Sequence, residues 1–114
     1  PLATDFLQLL NTAVFNNQLN GVFNDNTNTT TSAQLGWAST ASVNNAGTFN
    51  KTGTSVFTDT GSTVFNNTGT FNVLSGEYFI GNGGTHTGTF SIANNTTLNF
   101  SGGTSSLNSG TNIN

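Results

Sequence analysis

A four-residue phrase, glycine followed by a β-branched residue, phenylalanine and asparagine, returns along this chain and narrows what it can fold into. It reads Gly21-Val22-Phe23-Asn24, then Gly47-Thr48-Phe49-Asn50, then Gly69-Thr70-Phe71-Asn72. A variant, Gly88-Thr89-Phe90-Ser91, follows, and Gly110-Thr111-Asn112-Ile113 begins a further copy. Successive glycines are 26, 22, 19 and 22 residues apart. That period matches one turn of a solenoid, whereas strands of a sandwich recur every ~8–12 residues.

A second rhythm runs inside each repeat. Phe57, Phe79 and Leu98 each follow a repeat glycine by ten residues, and a third apolar position comes at Val64-Phe65 and at Leu107. These short segments lie between clusters of Gly, Asn, Asp and Ser, as strands lie between turns. Gly69, Phe71 and Val73 alternate with polar residues, as do Gly88, Phe90 and Ile92. The expected fold is therefore all-β, a right-handed parallel β-helix of about four to five turns over residues 21–114. Phe23, Phe49, Phe71 and Phe90 should stack in one core column, Phe57, Phe79 and Leu98 in a second, and Val64 and Leu107 in a third. Neighbouring turns would lie ~4.8 Å apart.

Residues 1–20 break the pattern. Thr4 or Asp5 is placed to cap a short helix with Phe6, Leu9, Leu10, Ala13 and Val14 on its apolar face. The expectation there is an N-terminal cap or a docking segment for a neighbouring subunit, since solenoid ends need covering. At the other end, Thr111, Asn112 and Ile113 belong to an interrupted turn whose strand edge is a template for another chain. Phe6, Leu9, Leu10 and Val14 on one side, and Thr111, Asn112 and Ile113 on the other, are the candidate assembly contacts.

Composition excludes several partners. Only 4% of the 114 residues are charged, against about a quarter in an ordinary domain. Lys51 is the one base, and the formal charge is -3. A phosphate backbone needs several Lys or Arg contacts, so nucleic acid is not an expected partner. No apolar run approaches the ~20 residues of a membrane span. A surface of Asn, Thr, Ser and Gly offers little like-charge repulsion, which favours self-association. With no cysteine there is neither a disulfide framework nor a thiolate site.

Catalytic constellations are not found. His86 is the only histidine and sits in a turn-like stretch, Gly83 to Thr87, with no second ligand beside it; a surface position is expected, and no metal or cofactor. Glu77 and Asp59 fall at different offsets in their repeats and should not face one cleft as paired carboxylates do. Trp37 has two readings, packing in a core or cap and an exposed platform for stacking a sugar.

The phrases Asn45-Ala46-Gly47-Thr48-Phe49-Asn50, Asn67-Thr68-Gly69-Thr70-Phe71-Asn72 and Thr87-Gly88-Thr89-Phe90-Ser91-Ile92 resemble repeats of filamentous-haemagglutinin-like and autotransporter-passenger adhesins. The resemblance covers residues 45–114 and implies a bacterial, exported, elongated and non-catalytic protein with a right-handed β-helix stalk. The chain is short beside such stalks. The functional expectation is an extracellular or cell-surface structural subunit that stacks end to end on copies of itself. The alternatives are an adhesin stalk binding glycans or a host surface, and an ice-binding solenoid. Against ice binding, Thr52, Thr54, Thr58, Thr60 and Thr63 do not recur in register in the following repeat.

Overall fold

A computed structural model describes the backbone of residues 6–28, 33–35, 40–54, 57–59 and 61–114, with side chains described for all of these except 6, 33–35 and 57–59. Trp37 lies outside the described residues. The fold is a β-solenoid with no helix among the described residues, built from five successive triplets of short strands. The first rung is β1 (Phe6–Leu7), β2 (Val14–Asn17) and β3 (Val22–Asp25). The second is β4 (Ala33–Leu35), β5 (Ser42–Asn45) and β6 (Thr48–Lys51). Next come β7 (Phe57–Asp59), β8 (Val64–Asn67) and β9 (Thr70–Val73), then β10 (Glu77–Ile80), β11 (Gly84–His86) and β12 (Thr89–Ile92). The last rung is β13 (Thr97–Phe100), β14 (Ser105–Leu107) and β15 (Asn112–Ile113).

Every pairing is parallel, between equivalent strands one turn apart. Three five-stranded sheets result: sheet 1 from β1-β4-β7-β10-β13, sheet 2 from β2-β5-β8-β11-β14 and sheet 3 from β3-β6-β9-β12-β15. Strand alternation sends every second side chain inward. In β6, for example, Phe49 and Lys51 are buried while Thr48 and Asn50 are half-buried on the outer face.

Sheet 3 supplies the aromatic spine. Phe23, Phe49, Phe71 and Phe90 are in direct register, followed by Ile113. Phe49 and Phe71 stack with centroids 4.9 Å apart and planes 14° from parallel, and Phe23 lies 4.8 Å from Phe49. Phe65 and Tyr78 approach the spine edge-on from the other two sheets, Tyr78 at 4.7 Å from Phe71. Such pairs contribute about 1 kcal/mol each beyond burial of area. Val43, Phe65, Tyr78 and Ile80 are, like Phe49, Phe71 and Phe90, wholly buried.

Several expectations need correction. Residues 6–20 form no helix: β1 and β2 join the sheets of the first rung, and Asn11 at φ 55° turns the chain where a helix would have to continue. Phe57, Phe79 and Leu98 do not form a column. Phe57 pairs with Glu77, Phe79 with Asn99, and Leu98 with the buried Tyr78. The cause is corner length: five residues follow β6, three follow β9 and four follow β12, so a fixed offset from the glycine slips register. In sheet 2 Phe65 is the buried residue, and Val64, its neighbour, takes the outer side. Leu107 stands at an inward position opposite His86 but is 49% exposed because no turn covers it. The last repeat is offset by one residue, with Asn112 opposite Thr89, so Thr111 rather than Gly110 occupies the corner-glycine place.

Candidate functional site

The repeat glycines mark the corner between sheets 2 and 3, where the chain has little room. A Cβ on Gly47 would lie 2.2 Å from Gly21 O, one on Gly69 2.1 Å from Gly47 O, and one on Gly88 2.1 Å from Gly69 O. The same carbonyls accept the next turn's amides, Thr48 N–H, Thr70 N–H and Thr89 N–H, at 2.8–2.9 Å. The corner is therefore drawn in tightly enough to exclude a side chain. Outside it runs an open trough of about 470 Å³ lined by Thr48, Thr68, Thr70, Thr87 and Thr89, with Leu19 and Asn20 at one end. Thr48, Thr70 and Thr89 are in register. This column is distinct from Thr52, Thr54 and Thr63, which lie on corners, and from Thr58, which lies on β7; Thr60 lies outside the described residues.

Asparagine ladders climb both faces of the sheets. Inside sheet 2, Asn17 Nδ2 donates to Asn45 Oδ1 at 2.8 Å, and Asn45 Nδ2 to Asn67 Oδ1 at 2.8 Å. The second hydrogen of each amide goes to a carbonyl across the corner: Asn17 to Thr48 O, Asn45 to Thr70 O and Asn67 to Thr89 O. A buried amide needs these partners, because an unmade bond there costs more than a made one gains. Two outer ladders run the opposite way. Asn66 donates to Asn44 and Asn44 to Asn16, both at 2.9 Å. On sheet 3, Asn72 donates to Asn50 at 2.7 Å and Asn50 to Asn24 at 2.9 Å.

His86 takes the place of asparagine in the inner column, opposite Asn67 on one side and Leu107 on the other. Contrary to the surface position expected for it, it is wholly buried. Its ring sits 5.2 Å from Phe90 and 5.6 Å from Phe100, and neither ring nitrogen has a hydrogen-bond partner among the described residues. Burial lowers its pKa below the ordinary 6.5. Lys51 is also buried, with Nζ donating to Gly53 O at 2.6 Å. Desolvation lowers its pKa, and Asp25, its register partner on β3, opposes that shift. Asp25 in turn accepts from Thr27 N–H and Thr27 Oγ1.

Asp59 and Glu77 are nearer than their spacing implied. They lie on adjacent strands of sheet 1, two register positions apart, because Phe57 pairs with Glu77 and Asp59 with Phe79. Among the described residues, no three His, Cys, Asp or Glu side chains gather as a metal site would need.

The two end rungs complete the picture. β1, β2 and β3 edge the three sheets at one end, and β13, β14 and β15 at the other. Of the candidate assembly contacts, Leu9 belongs to the buried core, while Leu10 and Val14 are 53% and 54% exposed. Asn112 and Ile113 are exposed and Thr111 half-buried, its hydroxyl donating to His86 O. The turn-like surroundings of His86 argued for the surface; its inward parity within β11, like that of Lys51 within β6, was the available signal for burial. Comparison with protein-family models, with curated proteins and with solved structures returned no match.

Proposed function

We propose that this chain is a non-catalytic structural protein of the cell surface or extracellular space, a β-solenoid unit that stacks end to end on copies of itself. The observation that carries the reading is that, among the described residues, each of the three sheets ends in a strand paired on one side only, and that core positions of the last rung lie bare. Ile113 continues the aromatic spine yet is 54% exposed, and Leu107 continues the inner column yet is 49% exposed. Open parallel edges of this kind accept another strand, and a contact between unlike ends propagates without closing. The near-absence of charge adds no repulsion to oppose it.

Sedimentation velocity and electron microscopy across a concentration series test the reading. The expected result is filaments with a repeat near ~24 Å, five strand spacings. Ile113→Asp, or removal of residues 110–114, should abolish them. A protein that stays monomeric at every concentration overturns the reading.

A second reading, ice binding, draws support from the in-register column Thr48, Thr70 and Thr89, flanked across the glycines by Thr68 and Thr87. It requires thermal hysteresis that Thr70→Lys removes. Absence of hysteresis in the parent protein discards it.

A further inference from the structure

Resting on the stacking reading above, we infer that the joint has one polarity and one register: the rung bearing Asn16 and Asn24 seats on the rung bearing Ser106 and Asn114 of a second copy. Three independent features of the end rungs select this arrangement.

The first is corner shape. Between sheets 2 and 3 the three interior corners have two residues each: 46–47, 68–69 and 87–88. The first and last corners, residues 18–21 and 108–111, have four. Both are closed by the same bond, Gly21 N–H to Gln18 O at 2.8 Å and Thr111 N–H to Asn108 O at 3.0 Å. Both place their third residue at positive φ, Asn20 at 67° and Gly110 at 100°. The two ends of the unit thus carry matching corners that the turns between them lack, and stacking unlike ends lays one wide corner on the other.

The second is hydrogen-bond polarity. In both outer ladders each amide donates to the preceding turn, so Asn16 and Asn24 aim their Nδ2 donors out of the first rung. The register places Asn114 in the column of Asn24, Asn50 and Asn72, and Ser106 in the column of Asn16, Asn44 and Asn66. Asn114 Oδ1 and Ser106 Oγ are the acceptors those donors need. A joint between two first rungs would set donor against donor, and one between two last rungs acceptor against acceptor.

The third is the spine. Phe23, half-buried at the first rung, would cover Ile113 and make the phenylalanine column continuous through the joint. Among described residues the two end rungs hold one charged side chain, Asp25, which is buried beside Lys51 of its own chain. No second charged side chain among the described residues of these rungs opposes the partner copy.

Cysteine pairing tests the register, since the chain contains none. Parallel strands in register lie ~4.8 Å apart, within the ~4.4–6.8 Å between Cα atoms that a disulfide spans. Asn24→Cys and Asn114→Cys are made separately, mixed and exposed to mild oxidant, with sedimentation run on the same samples. The expected result is a mixed disulfide dimer, several-fold above either variant alone, and none from Asn50→Cys mixed with Asn114→Cys. The double variant Asn24→Cys/Asn114→Cys should give a ladder of covalent oligomers. Assembly by sedimentation with no mixed disulfide, or with Asn24→Cys homodimers dominant, overturns the inferred joint while leaving stacking intact. Monomers throughout overturn both.

Discussion

Asn45 donates through Nδ2 to Asn67 Oδ1 at 2.8 Å, inside the solenoid and one turn further along its axis. Its own Oδ1 accepts from Asn17, and its second hydrogen reaches Thr70 O. One residue thereby ties three turns. Asn45→Ala strips the partner from Asn17 Nδ2, from Asn67 Oδ1 and from Thr70 O at once. Each buried orphan costs ~1–3 kcal/mol, so a total of at least ~3 kcal/mol is expected. Asn44→Ala, one position away on the outer ladder, should cost under ~1 kcal/mol because water replaces its partners. Urea midpoints at unchanged m-value measure both. Equal losses would deny the inner ladder its special weight.

The corner glycines make a sharper prediction. Gly69 needs no positive φ; it needs the space, since a Cβ would stand 2.1 Å from Gly47 O and 2.7 Å from Ala46 C. Gly69→Ala has to push two turns apart and should cost ~3 kcal/mol. Gly110→Ala is the contrast: its nearest neighbour, Thr87 O, is 3.4 Å away, and only φ 100° opposes the change. About 1 kcal/mol is expected there. If Gly69→Ala unfolds at the parent's midpoint, the corner is looser than its geometry states.

These two contrasts show what was legible in the sequence. In the four repeats from Gly21 to Gly88 the glycine is the last residue of its corner and the phenylalanine lies two residues on, in the strand that follows, so their spacing survives from turn to turn and reveals the spine. Phe57, Phe79 and Leu98 lie beyond a corner of three to five residues, and a count from the glycine cannot follow that variation. Polar residues misled in a different way. Asn17, Asn45 and Asn67 carry the alternation that buries them, yet composition argues for a hydrated surface. Their burial depends on amide partners one turn away, which no local pattern displays. The matching four-residue corners were visible only once the register was known.

The buried pair Asp25 and Lys51 follows a different logic. Desolvation disfavours the Lys51 ammonium, and the Asp25 carboxylate beside it offsets part of that cost. Asp25→Asn removes the offset and leaves the ammonium buried, so a loss of ~2–3 kcal/mol is expected. Adding Lys51→Met to that variant removes the buried charge and should recover most of it. Chemical denaturation of the parent, Asp25→Asn and the double variant decides the matter. A double variant no more stable than Asp25→Asn would mean that Lys51 contributes through its bond to Gly53 O rather than through its charge.

His86 gives the fold a dependence on pH below neutrality. Its ring is enclosed by Phe90 from β12 and Phe100 from β13, with Asn67 and Leu107 above and below it in the column. None of these groups titrates, and burial alone lowers the folded pKa below 6.5. Above 6.5 the imidazole is neutral in folded and unfolded chains alike, and the stability is fully present. As pH falls past 6.5 the unfolded chain takes up a proton that the folded chain resists, so stability declines until the lowered folded pKa is reached. The urea midpoint of the parent should therefore fall between pH 7.5 and pH 5. His86→Asn should flatten that slope, and it places an amide opposite Asn67, where it extends the inner ladder by one turn. A slope that persists in His86→Asn would assign the acid sensitivity to another group. A parent with no slope would mean that the pocket around His86 admits the proton without strain.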